Sequence, residues 1–424
     1  MKNKKFKLLF DAKIIASGAN KTTDRSGIYF TAFNILKYMI KRDHLKITLY
    51  ISHDRKDNLK KVLKQYFPKA ALKTIVLKQP PEKVYVDNLS YICTQDKNFI
   101  TRAFLNFIIY SRYYLQKLSL DLYCKLLSFN RFDAVFSPYT AFPECIGHIN
   151  IKNRYTFLYD MILILFPHYY SIDCNHWALK LFKTLNGNDN YFTDSESARQ
   201  DFLKYKPQIK PNKIHTVYLG CDFKYSDNPD LLTKVKTKYH IPNDKKYLFS
   251  LCSMEPRKNL IRMVKTFIEF IKKNNINDLV LVMGGGQWNA FKKKFNKETA
   301  GLSMDNVLQI GYVDDEDLPI LYHCAEWFTY TSEYEGFGLP VLEAMKCGCP
   351  VITSDNSSLP EVIGDAGIKI NCYSDDEHIA AYEKYYYNEA LRKENAAKGL
   401  ERAKLFNWEK TVDEMLKIMF KNNE

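Results

Sequence analysis

Short apolar runs that end in polar or turn residues alternate along this chain with stretches of three-and-four apolar spacing. In the first half, KFKLLFDAK reads as a strand, GIYFTAFNILKYMIK as a helix and LKITLYIS as a strand; further apolar runs follow at RFDAVFSP, YTFLYD and DNYFTDS. Punctuation of this kind predicts a parallel sheet covered by helices. The second half repeats it more clearly. KKYLFSLCS, DLVLVMGGG, NVLQIGYV, EWFTYTS, PVITSD and IKINC read as strands, with helices at NLIRMVKTFIEFIKK and LPILYHCA.

The fold class is therefore α/β, with two Rossmann-like parallel-sheet domains, residues 1–220 and 223–405, facing each other across a cleft. A chain of 424 residues suits two domains. The stretch 222–245 is polar and weakly patterned, and is read as the linker and the start of domain two. In the tail, 406–424, Val412, Met415, Leu416, Met419 and Phe420 share one helical face. That tail is expected to cross back onto domain one. Ligands of such domains bind beyond the carboxyl ends of the strands, which directs attention to the cleft.

Composition narrows the chemistry. Hydrophobic residues make up 46% of the chain, enough for sizeable cores and too many for global disorder. Ten cysteines without a CxxC pair, and nine scattered histidines without HExxH, indicate no zinc or dithiol redox site. A reducing, cytoplasmic setting is the simplest one. The basic, then apolar start is interrupted by Asp11 and Lys13, so it is read as a buried strand and not a signal peptide. No stretch reaches the ~18 uncharged apolar residues of a spanning helix.

The 62 Lys and Arg exceed the 48 Asp and Glu, giving +14. No zinc finger or GxxxxGK[ST] loop accompanies this charge, so nucleic acid is not the expected partner. A phosphorylated small molecule or an anionic membrane surface would use it equally well. The stretch 101–130 holds seven aromatics and four Lys or Arg against one Asp. Two readings stand: amphipathic contact with a membrane interface, or a helix pair covering the first sheet.

Three segments carry candidate chemistry. In SMEPRKNLIRM, Arg257 and Lys258 precede a helix, whose free amides would add to their charge in an anion site suited to a diphosphate. Solvated first-turn cations are the alternative. MGGGQW follows a strand but lacks GxGxxG, so no nicotinamide site is indicated. In TSEYEGFGLPVLEAMKCGCPVITSD, Glu335 precedes a Gly-Phe-Gly loop, and Glu343 follows eight residues later, past a helix start near Pro340. Carboxylates accept well from sugar hydroxyls, so Glu335 suits a sugar and Glu343 a ribose diol. The amides of Gly336, Phe337, Gly338 and Leu339 would suit phosphate oxygens. Two surface glutamates at a helix start remain the plainer alternative.

The last segment resembles the signature of glycosyltransferase family 4, the retaining nucleotide-sugar enzymes with the GT-B fold. Its E-x7-E pattern stands here as Glu335 and Glu343. NKIHTVYLGCD, MEPRKN, GYVDDEDLPILYHCA and SSLPEVIGDAG are also similar, as are RFDAVFSPY, YDMILILFP and SESARQDF in the first half. The resemblance implies that Arg257 and Lys258 stabilise the donor diphosphate, that Glu343 holds the ribose, and that Glu335 contacts the transferred sugar. Gly27, in RSGIYF, would face the donor, and Asp160 would stand near the reacting centre. Two departures bear on the site. Cys252-Ser253 stands where many members carry Gly-Arg, and Tyr159-Asp160 where many carry His-Asp. Tyr159 offers one hydrogen bond but not a histidine's charge.

The implied reaction is hexose transfer with retention, most readily of mannose, from a GDP- or UDP-sugar to a glycan or polyprenyl-diphosphate-linked acceptor. It would serve surface polysaccharides such as lipopolysaccharide or capsule, at the inner face of the cell membrane. No cofactor is implied, and no metal, since the cations and helix termini can supply the positive charge. The rivals are a nucleotide-sugar epimerase, a phosphorylase with a pyridoxal phosphate lysine, which is not identifiable here, and a nonenzymatic envelope-associated scaffold that binds glycan or lipid.

Overall fold

The computed structural model describes residues 5–19, 27–77, 99–170, 176–224, 228–286 and 289–423. Thus Arg25 and Ser26 of RSGIYF and the end of MGGGQW lie outside the described residues. The first sheet contains β1 (Phe6–Asp11), β2 (Leu45–Ser52), β3 (Lys73–Leu77), β4 (Arg131–Ser137), β5 (Asn150–Leu158), β6 (Asn190–Thr193) and β7 (Ile214–Thr216), in the order β3-β2-β1-β4-β5-β6-β7. The second contains β8 (Lys246–Leu251), β9 (Leu279–Gly284), β10 (Val307–Gly311), β11 (Trp327–Tyr330), β12 (Val351–Ser354) and β13 (Gly367–Ile370), in the order β10-β9-β8-β11-β12-β13. Every pairing is parallel, with Phe6 opposite Leu45 and Trp327 opposite Leu248.

The apolar runs are long because both faces of these strands are covered: Leu8, Leu9 and Phe10 are fully buried, as is all of β9. The helix Leu260–Lys273 places Leu260, Met263, Val264, Phe267, Phe270 and Ile271 against the second sheet. Chain order reverses between β1 and β4 in one sheet and between β8 and β11 in the other. At such a switch point the flanking loops diverge and leave a crevice.

The tail helix, Trp408–Lys421, is capped by the Asn407 side chain, which accepts from the Lys410 amide at 2.8 Å. It crosses to the first sheet. Val412, Met415, Leu416 and Met419 are buried, and the Phe420 ring lies 4.9 Å from that of Phe6. Arg42 pairs with Asp413 at 2.8 Å, and Asn422 donates to the Tyr155 hydroxyl at 3.1 Å.

Two segments differ from the sequence reading. The polar stretch 222–245 contains the helix Pro229–Lys238, begun by Asn228, whose side chain accepts from the Asp230 amide at 3.0 Å. Val235 is its one fully buried apolar anchor among the described side chains, which leaves little periodic signal. The stretch 101–130 is not a helix pair. It is one continuous helix, Phe99–Leu127, seated through Cys124 and Leu127 near Leu9, Val135 and Ile146. Tyr123 donates to the Val76 carbonyl at 2.7 Å. Among the described residues no helix is long and apolar enough to cross a membrane.

Candidate active site

Because β8 and β11 are neighbours, the loops that leave their carboxyl ends meet. After β8 the chain makes the short turn Pro256–Lys258 and passes through Asn259 in the left-handed region, φ 57°. Asparagine tolerates that conformation, and its side chain secures it by donating to the carbonyls of Thr331 (3.3 Å) and Cys372 (2.7 Å). The turn directs Arg257 and Lys258 inward, leaving them 9% and 8% exposed. After β11, the loop 331–338 ends at Gly338, φ 100°, where the helix Leu339–Lys346 starts. A Cβ at Gly338 would stand 2.6 Å from Leu359 Cδ2, so glycine is required there on two counts.

The two loops are joined by charge. Glu335 Oε1 receives Lys258 Nζ at 2.6 Å and Arg257 Nη1 at 2.9 Å. Burial pushes the Glu335 carboxyl up, but the two cations outweigh burial and hold it down to about 2. Lys258 also donates to the Tyr330 hydroxyl at 2.5 Å, and Arg257 to the Tyr334 carbonyl at 3.1 Å. The cations are thus neither solvated nor free, and the plainer reading of this pair is excluded.

The loop itself is held by serines. Ser195 donates to the Gly336 carbonyl at 2.5 Å, and Ser358 to the carbonyls of Glu335 (3.0 Å) and Phe337 (2.9 Å). With its carbonyls turned toward these hydroxyls, the amides of Gly336, Phe337, Gly338 and Leu339 have no acceptor among the described residues. Four such amides beside two buried cations form a strong anion-attracting surface.

The first domain faces this surface with the end of β5. A Cβ on Gly336 would lie 2.7 Å from the Tyr159 carbonyl oxygen and 3.2 Å from Asp160 Cβ. Asp160 accepts from the Ile162 amide at 2.9 Å; burial raises its carboxyl above the ordinary value, and Arg257 opposes that rise. The Tyr159 hydroxyl is buried without a hydrogen-bond partner among the described residues, and its ring packs 4.9 Å from Phe157. Gly27 opens the helix Gly27–Ile40, and a Cβ there would meet Leu339 Cδ1 at 3.8 Å. Tyr159, Asp160 and Gly27 are thereby brought to the 336–339 loop. Glu343 stands apart from the ion-paired cluster. It accepts from the Tyr322 hydroxyl at 3.0 Å, and burial pushes its carboxyl up to about 7. A cavity of about 250 Å³ opens beside Asp160, lined among others by Tyr170, Trp177, Leu181 and Glu255.

Sequence reasoning missed a set of bonds between the two domains. Tyr170 donates to Glu255 (3.1 Å) and accepts from Arg257 Nε (3.2 Å), while Tyr169 donates to Glu333 at 2.7 Å. Glu361 accepts the amides of Glu196 and Ser197, each at 2.9 Å, at the start of the helix Glu196–Tyr205. Asp194, also buried, has an unpartnered Oδ1; burial and the nearby Asp160 raise its carboxyl. Ser195 and Glu361 lie in the SESARQDF and SSLPEVIGDAG stretches, so their neighbourhoods were marked. Tyr169 and Tyr170 had no signal, since only folding apposes them to Glu333 and Glu255.

Known proteins agree with this architecture. The chain is 31% identical over 261 residues to the O-antigen chain mannosyltransferase B of Escherichia coli, covering 61% of this chain and 68% of that protein. This chain belongs to the group 1 glycosyl transferases. The family model "Glycosyl transferases group 1" matches residues 233–402, which include Arg257, Lys258, Glu335 and Glu343. A second relative, the serotype-specific mannosyltransferase WbdA of Escherichia coli, is 29% identical over 228 residues, covering 53% of this chain but only 28% of WbdA. Among solved structures, HepE of Anabaena in complex with UDP and glucose superposes with a TM-score of 0.65 at 13% identity, covering 98% of this chain and all of that one. The fold of this glycosyl transferase is accordingly GT-B, and its reaction is sugar transfer.

Proposed function

We propose that this glycosyl transferase moves a hexose, mannose by preference, from a nucleotide diphosphate sugar to a growing surface glycan or its polyprenyl-diphosphate-linked precursor, with retention at the anomeric carbon. The observation that carries the reading is the pair of buried cations, Arg257 and Lys258, beside four unbonded amides and across from Asp160. The mannosyltransferase relatives support mannose, and the UDP and glucose held by HepE support a nucleotide-sugar donor.

In this reading the diphosphate enters the anion-attracting surface, and Arg257, Lys258 and the 336–339 amides stabilise the charge that grows on the leaving phosphate. The chain supplies this positive charge itself. Glu335 then accepts from hydroxyls of the transferred sugar, and Glu343 from the ribose. Gly27 leaves room for the donor beside Leu339. The acceptor hydroxyl approaches through the cavity beside Asp160, on the face that the diphosphate leaves, and passes its proton to the leaving phosphate. Tyr159 shapes this wall and does not carry charge.

A panel of GDP- and UDP-sugars, read by product mass with and without lipid-linked glycan acceptors, tests the reading. Turnover of GDP-mannose into an α-linked product is expected. Turnover of no nucleotide sugar, or turnover that is unaltered in Arg257→Ala, would overturn it.

A further inference from the structure

The helix Phe99–Leu127 has an apolar side that nothing among the described residues covers. Ile100, Phe104, Phe107, Ile108, Leu115, Leu118, Leu122 and Leu126 recur at three-and-four spacing and so share one face. All are exposed, with Phe104 at 63%, Leu118 at 66% and Leu122 at 60%, and Phe129 just beyond the helix is 82% exposed. The opposite side is the one that Cys124 and Leu127 seat on the first sheet. Of the seventeen large hydrophobic residues exposed among the described residues, ten lie on this helix or at its end. A 29-residue helix is about 43 Å long, so this is a continuous stripe and not the scattered exposure that ordinary surfaces carry.

Charge identifies the occupant. The helix carries Arg102, Arg112, Lys117 and Lys125 against Asp121, and no acidic partner for these four cations is found among the described residues. At helical spacing, Arg112 and Lys117 flank the stripe on opposite sides, and Lys125 lies on it. A second copy docked on this face would bring these cations against their own kind. The helix is not apolar enough to cross a membrane. A bilayer interface with anionic headgroups satisfies both features: the stripe enters the acyl boundary, and the long cationic side chains reach up to the phosphates.

We infer that the helix Phe99–Leu127 is a membrane-docking surface that lies in the plane of an anionic bilayer, with Phe104, Leu115, Leu118 and Leu122 inserted and Arg112, Lys117 and Lys125 on headgroup phosphates. The inference does not depend on which sugar is transferred.

Flotation of the full chain with phosphatidylglycerol–phosphatidylcholine vesicles, and with phosphatidylcholine alone, tests it at low and high salt. Binding to the mixed vesicles at low salt is expected, weakening with salt and on pure phosphatidylcholine. The triple substitution Leu115→Ser, Leu118→Ser, Leu122→Ser is expected to lower partition roughly tenfold or more. It should leave turnover of a water-soluble acceptor unchanged, so that a failure here is distinct from a failure of the proposed reaction. Phe107→Trp provides a second readout that keeps the apolar surface: its added emission should shift to the blue, and brominated lipid should quench it. No flotation on the anionic vesicles at low salt, flotation indifferent to the triple substitution, or a dimer that the triple substitution dissolves without any vesicle binding would each overturn the inference.

Discussion

Lys258 and Glu335, 77 residues apart in sequence, form a buried ion pair of 2.6 Å at the switch point of the second sheet. Arg257 shares the same carboxylate oxygen at 2.9 Å. Arg257 Nε also pairs with Glu255 Oε2 at 3.2 Å, so two cations face two carboxylates before any ligand enters. An arriving diphosphate would thus meet two cations held in a fixed place, one of whose partners, Glu335, can itself turn to a sugar hydroxyl.

Glu335→Gln removes the carboxylate, strands the buried Lys258 and leaves Arg257 ion-paired with Glu255 alone. Breaking a buried pair in this way costs about 3 kcal/mol of stability, to be measured by denaturant unfolding, and added nucleoside diphosphate is expected to restore part of it. The pH dependence follows. The folded-state value of about 2 lies below the ordinary 4.5, so the stabilisation is complete above pH 4.5 and is lost as pH falls toward 2. The wild-type chain should therefore lose stability more steeply than Glu335→Gln through that window. Parallel curves would count against the pair.

Glu343 makes the opposite prediction. Its folded-state value, about 7, lies above the ordinary 4.5, so the neutral acid is favoured in the fold and stability falls as pH rises from 4.5 to 7. Ribose recognition needs the ionised form, which accepts more strongly by roughly 1 kcal/mol. Nucleotide affinity should rise about three- to fourfold between pH 6 and pH 8. Calorimetric titration of Glu343→Gln should show a flat profile; a wild-type slope there would remove the residue from the ribose site.

Most of the fold was legible because both sheets are buried on two faces, which gives strands such as β1 and β9 apolar runs with clear ends. The helix Pro229–Lys238 was not, because Val235 is the one fully buried apolar anchor among its described side chains. At the site, Arg257, Lys258, Glu335 and Glu343 stood in motifs whose spacing carries chemistry. Their actual relation, two cations closed onto Glu335 while Glu343 faces Tyr322, depends on which strands are neighbours, and local patterning does not encode that order. Tyr169 and Tyr170 bond through their hydroxyls across the interface and read in sequence as two more tyrosines among thirty.

Tyr170 bridges Glu255 and Arg257 from the first domain. Tyr170→Phe deletes one donor and one acceptor, and Arg257 loses one of the two neighbours, Tyr170 and Glu255, that steady its Nε edge. A loss of about 1 kcal/mol, near fivefold in nucleotide affinity, is expected, with the melting temperature little changed. Unchanged affinity would show that Glu255 and Glu335 suffice to orient the guanidinium.

Gly336 gives the sharpest test of domain apposition. Its missing side chain is the space into which the first domain fits, because a Cβ would stand 2.7 Å from the Tyr159 carbonyl oxygen. That oxygen is backbone, at the end of β5, and cannot swing aside as a side chain can. Gly336→Ala therefore leaves each sheet intact and relieves the clash by parting the domains. Separation would also break the 2.5 Å bond from Ser195 to the Gly336 carbonyl and draw Asp160 away from the anion-attracting loop. Activity should fall about 100-fold, the effect of roughly ångström-scale misplacement of reacting groups. Small-angle scattering should show a larger radius of gyration, while the circular dichroism of the helices and strands is kept. Full activity with an unchanged radius would mean that the loop can yield locally and that close approach of Gly336 to Tyr159 is not what sets the cleft.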